Sequence, residues 1–161
     1  MRTARSRHAS VPEFSIPFAA NRIPGLAPPH IAVPRIAVFV PDLTDAPDRR
    51  AAVALAQALH RAGQPVDLVA PMGGGALRAL LDPGIGQIDL AKRHAATAPL
   101  ALARYVAERR PAVLAATAPV AWVARLAVRL ARTGTPAVPL GKAGDLEGDR
   151  AAIRAATPRW G

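Results

Sequence analysis

Apolar positions fall along this chain in two alternating rhythms. Short unbroken apolar runs bounded by turn residues read as buried strands, and the longer stretches between them, with apolar residues every three or four positions, read as amphipathic helices. The first run is R-I-A-V-F-V-P, and Ile36 to Val40 within it predicts a central strand. A helix is expected after the loop P-D-L-T-D-A-P, starting near Pro47 or Asp48, with Asp45 as N-cap and Asp48 adding negative charge to the first turn. Ala52, Leu55, Ala56 and Leu59 give that helix its apolar stripe, and Gly63 stops it. Pro65 to Pro71, P-V-D-L-V-A-P, then reads as a second strand, completing a strand-helix-strand unit whose crossover should be right-handed.

The same logic repeats. Gly73, Gly74 and Gly75 lead into a short helical piece, Ala76 to Leu81, and Gln87 to Leu90 predicts a third strand near the edge of the sheet. A helix from Pro99 to Arg110 turns Leu102, Ala103 and Val106 inward, and Pro111 to Thr117 gives a fourth, buried strand. A helix from Pro119 to Arg132 places Val120, Val123, Ala124, Ala127 and Leu130 on its inner side; Gly134 ends it, and Pro136 to Leu140 makes a fifth strand. The expected fold is α/β, a Rossmann-like, open, mostly parallel sheet with helices on both faces. It forms a single domain over 35–141, preceded by a basic, proline-rich leader at 1–34, read as mobile or loosely packed, and followed by a polar tail with a short helix at 142–161.

Composition narrows the picture. Apolar residues are 51% of the 161, but 38 positions are Ala and aromatics are only 4%, so the core is lean and rests on Val, Ile and Leu. The formal net charge is +10, which permits contact with phosphates, nucleic acid or an anionic membrane surface, although an arginine-rich composition alone also accounts for it. Part of the excess sits in the leader, where Arg2, Arg5, Arg7, Arg22 and Arg35 face only Glu13. Cysteine is absent, which excludes disulfides, thiolate metal sites and a cysteine nucleophile. No stretch approaches the roughly 20 uncharged apolar residues that span a bilayer.

Ligands of open parallel sheets sit outside the carboxyl ends of the strands, where the strand order reverses, and this selects loops before residue types. The first candidate loop offers Asp42, Thr44, Asp45 and Arg49, in which Thr44 and the helix start could hold a hydroxyl or phosphate and Arg49 an anionic group. Three carboxylates make a poor phosphate cradle, and helix capping is the simpler account of Asp45 and Asp48. Gly73 and Gly74 permit close backbone approach, Thr117 follows the fourth strand and Lys142 the fifth; a plain loop and a solvated charge are the ordinary readings of the glycines and Lys142. The histidines at 8, 30, 60 and 94 have no metal-ligand spacing, so no metal site is expected, and G-x-G-x-x-G and G-x-S-x-G are both missing. Trp122, Arg125, Arg129 and Arg132 share one face of the third long helix, as a helix lying on anionic lipid would present, although a solvated face with a half-buried Trp is the commoner reason for such a pattern. No nucleic-acid motif accompanies the charge.

The order of these segments resembles a known family. R-I-A-V-F-V-P-D-L, then A-V-A-L-A-Q-A-L-H-R-A-G-Q-P-V-D-L-V-A-P, then I-D-L, then L-A-R-Y-V-A-E-R-R-P-A-V-L-A-A is similar to the N-terminal domain of family 4 type glycosyltransferases of GT-B architecture, over about Arg35 to Leu140. The resemblance implies metal-independent transfer from a nucleotide-sugar donor, without a cofactor, to a sugar or lipid-linked acceptor held by this domain. It places acceptor contacts at Asp42 to Asp48, at Thr117 and at Leu140 to Lys142, and leaves the catalytic residue unassigned. The donor-binding half is not encoded in these residues, so a partner domain or subunit, or a truncated product, is expected. The family also implies a cytoplasmic setting, with the inner membrane surface as a place such a protein could sit. Two other classes remain open: a small nucleotide-binding or regulatory module of the same fold, and a basic interaction protein without catalysis.

Overall fold

The structure, a computed structural model, describes residues 33–141 and 145–157. The expectations for the leader (but for residues 33 and 34) and for Lys142 fall outside those residues. Five strands, β1 (Ile36–Phe39), β2 (Val66–Ala70), β3 (Gly86–Asp89), β4 (Val113–Ala116) and β5 (Ala137–Pro139), form one parallel sheet in the order β3-β2-β1-β4-β5. β1 is central, with Val38 opposite Leu68 on one side and Ala115 on the other. The expected α/β Rossmann-like architecture is therefore the observed one. β3 takes the edge as its short, half-polar sequence suggested.

The helices α1 (Pro47–Arg61), α2 (Pro99–Arg109), α3 (Ala121–Ala131) and α4 (Leu146–Ala156) divide between the two faces. Ile36, Val38, Val66, Leu68, Val113 and Ala115 meet Leu55, Leu59 and Ile153 of α1 and α4. The alternate residues Ala37, Phe39, Val69, Leu114 and Ala116 meet Leu102, Val106, Val123 and Ala127 of α2 and α3. All four residues of β1 are buried because both sides of the strand are covered, which explains the unbroken apolar run.

Several local expectations change. The N-cap of α1 is Ala46 and makes no side-chain cap, while the Asp45 carboxylate instead takes Arg50 through Nε and Nη2. Asp45 stands one position too early to cap, and a forked, charge-assisted pair is the stronger use of its oxygens. The piece after the three glycines is a short 3-10 helix at Ala76–Leu80. α3 is entered through a 3-10 turn at Ala118–Val120, and Leu130 is 48% exposed on its flank, not inward. α2 and α3 end on Arg110 and Arg132 in left-handed conformation, a place usually held by glycine. α4 starts four residues before the expected Arg150, because Asp145 accepts the Gly148 N–H at 3.0 Å and caps it. Its buried Ile153 ties this supposedly polar segment to the core.

Among the described residues four polar side chains are buried, Asp67, Thr117, Thr135 and Asp149, and Asp67 ties the sheet to a helix. Asp67 of β2 is 2% exposed and accepts from Tyr105 Oη of α2 at 2.7 Å and from Arg35 Nη1 at 2.6 Å. A buried carboxylate persists only when its oxygens are hydrogen-bonded and its charge is paired, and here both conditions are met. Burial first, then the Asp67 hydrogen bond and charge, push the Tyr105 phenol well above its ordinary range.

Candidate functional site

Strand order reverses between β1 and β4, since the chain fills one side of β1 with β2 and β3 and the other with β4 and β5. Beyond the carboxyl ends of these strands lies a cleft of about 470 Å³, lined by Asp48, Arg49, Thr117, Pro119, Leu140, Gly141 and Asp149 among others. Backbone bonds fix its floor: Thr117 N–H donates to Phe39 O at 3.2 Å, and Leu140 N–H donates to Ala116 O at 2.8 Å. The first turn of α4 closes one side, where Gly141 N–H donates to Asp149 Oδ1 at 2.6 Å.

Thr117 forms part of the cleft wall. Its side chain is 2% exposed, and its hydroxyl has no hydrogen-bond partner. Buried hydroxyls are nearly always paired, because an unpaired one forfeits about 1–3 kcal/mol. Among the described residues it shares this unpaired state with Arg49 Nε in the same wall and with Gln64 Oε1 elsewhere.

The arginine is already engaged. Arg49 Nη2 donates to Asp42 Oδ2 at 3.0 Å and Nη1 donates to Asp48 Oδ1 at 3.1 Å. Nε stands 2.9 Å from Asp42 Oδ1 but off the donor direction, so that contact is an ion pair without a hydrogen bond. Asp42 also accepts from Thr44 N–H at 2.9 Å and Thr44 Oγ1 at 2.5 Å. Partial burial works against its charge, but the Thr44 and Arg49 bonds together outweigh this and hold its carboxyl below the usual range.

Of the residues singled out from sequence, the structure brings Arg49 and Thr117 to the cleft, with Asp42 and Thr44 behind Arg49. Asp45 is turned to Arg50 at the surface. Gly73 lies apart, in a small depression with Arg78 and Asp89, where Arg78 Nη1 donates to its carbonyl at 3.1 Å, and Gly74 is exposed. Gly75 is the constrained member of that loop: at φ 142° its missing side chain admits the Leu43 carbonyl, which accepts the Leu77 N–H at 3.0 Å. Asp149 is the lining residue that sequence reasoning passed over, since in K-A-G-D-L-E-G-D-R it reads as a solvated charge. Among the described residues no group of three or more His, Cys, Asp or Glu could hold a metal ion, and no helix is long and apolar enough to cross a membrane.

No family model matches the chain, and no curated protein matches it. Among solved structures it is similar to a glycosyltransferase from Rickettsia africae ESF-5, with a TM-score of 0.49 and 19% identity over 66% of this chain. It is also similar to MurG from Acinetobacter baumannii, with a TM-score of 0.46 and 19% identity over 72% of this chain. The chain spans 29% and 39% of those two proteins. A phenylacrylic acid decarboxylase from Aquifex aeolicus is matched over 99% of its length at a TM-score of 0.39 and 14% identity. These are distant likenesses, and none assigns an activity.

Proposed function

We propose that the chain is the acceptor-binding half of a metal-independent glycosyltransferase that uses a nucleotide-sugar donor, working with a donor-binding domain or subunit. The segment order that resembles family 4 type enzymes suggests this reading, and the unpartnered Thr117 hydroxyl in the β1/β4 cleft carries it. A sugar hydroxyl can both donate and accept. Acceptor hydroxyls would donate to the carboxylates of Asp48 and Asp149 and pair with Thr117, in a cleft whose arginine is already neutralised by Asp42 and Asp48. That charge balance suits a neutral polyol or the sugar of a lipid-linked acceptor better than a nucleotide phosphate.

Amide spectra recorded while neutral saccharides, nucleotides and nucleotide sugars are added in turn test the assignment. Saccharides should shift the Ala118, Gly141 and Asp149 amides, and Thr117→Val should remove the response while leaving the melting temperature within a few degrees. Shifts of the same amides by nucleotides alone would instead make the chain a nucleotide-binding module of this fold.

A further inference from the structure

α3 carries more apolar surface than its contact with the sheet uses. Val123, Ala124 and Ala127 are fully packed, yet Trp122, Leu126 and Leu130 stand 51%, 40% and 48% exposed. Spaced four residues apart, they form one stripe that climbs the helix and continues from the buried side out to solvent. Arg125, Arg129 and Arg132, all exposed, line the other edge of that stripe. Over residues 99–132 there are six arginines against Glu108 alone, and Glu108 is paired with Arg104 at 2.9 Å.

A solvated face explains the arginines but not three large apolar side chains in register beside them. An apolar stripe with a basic border is what a helix needs to lie in a bilayer interface, its apolar residues among the acyl chains and its guanidinium groups at lipid phosphates. We infer that the α3 face bearing Trp122, Leu126 and Leu130 docks this protein on an anionic lipid surface. A protein partner would have to match Arg125, Arg129 and Arg132 with acidic groups, none of which α3 itself supplies, whereas an anionic leaflet supplies such charge everywhere. The inference does not depend on the cleft, although Ala118 and Pro119 at the entry to α3 line it.

The full chain is mixed with vesicles of phosphatidylcholine alone or with phosphatidylglycerol added, and sedimented at low and high salt. It should pellet only with the anionic vesicles, and only at low salt. Trp160→Phe leaves Trp122 as the sole tryptophan, and its emission should move to shorter wavelength on binding. Leu126→Ser with Leu130→Ser should weaken partitioning roughly tenfold or more. Arg125→Gln and Arg129→Gln should each weaken it about fivefold. The inference is overturned if these variants bind as tightly as the parent while a variant with Arg2, Arg5 and Arg7 replaced by Gln does not. It is equally overturned if the parent ignores the vesicles and the leucine variant turns a dimer into a monomer, because the stripe then joins two copies. Melting temperatures within a few degrees of the parent show that the variants fold.

Discussion

Tyr105→Phe removes one oxygen from the interior and tests how the sheet is tied to its helical layer. The phenol donates to Asp67 at 2.7 Å, and Asp67 is 2% exposed, so water cannot take over the lost bond. A hydrogen bond to a buried charged group contributes about 1.5–3 kcal/mol, and Arg35 continues to donate to the other oxygen. The expected loss is about 2 kcal/mol, a fall in Tm of roughly 6–10 °C for a body of this size. Urea unfolding at neutral pH measures the loss directly. Alkaline pH gives a second readout, because the folded-state phenol titrates above the unfolded one. Such a group stabilises the fold fully below about pH 10, the unfolded value, and that contribution fades as pH rises towards the folded value. The parent should therefore lose stability above about pH 10 more steeply than Tyr105→Phe. A change below about 0.5 kcal/mol, with parallel alkaline limbs, would mean that Asp67 does not rely on Tyr105 and would refute the argument.

Two further outcomes follow from the rim of the sheet. The Asp42 carboxyl titrates below its ordinary value, so its contribution is present above about pH 4 and is lost as pH falls through the folded value. Asp42→Asn should accordingly be less stable than the parent at pH 7, with the two acid-unfolding curves converging as pH falls below the ordinary carboxylate range; a constant gap down to the lowest pH would contradict this. Gly75→Ala should cost about 3 kcal/mol, because a β-carbon at φ 142° would overlap the Leu43 carbonyl, and a near-neutral melting temperature would show that the loop relaxes freely.

Much of this molecule was legible in its sequence, for a physical reason. Strands covered on both faces must be apolar at every position, so R-I-A-V-F-V-P and P-A-V-L-A-A-T announce themselves, and their adjacency in the sheet follows. Thr117 could be proposed because topology alone selects the residue after a central strand. What stayed hidden depends on distant contacts. The role of Asp67 in its strand emerges only where Tyr105 and Arg35 reach it across 38 and 32 positions. Leu130 matched the inward stripe by spacing, yet it falls in line with Trp122 and Leu126 at intervals of four on the helix flank and stands as exposed as they do. Asp149 joined the cleft only because α4 folds back on the body, which a polar stretch gives no hint of.

The two sides of β1 are equally oily, so oiliness cannot tell the chain which helical layer belongs on which side. Bulk has to do it. Ile36, Val38 and Val40 offer a row of similar branched side chains to one layer, whereas Ala37 and Phe39 set a gap beside a ring for the other. Exchanging Ala37 and Phe39 would keep the composition of that face and still put the ring where the gap belongs, so the fit of this layer is written in the shapes of its smallest and largest interior neighbours.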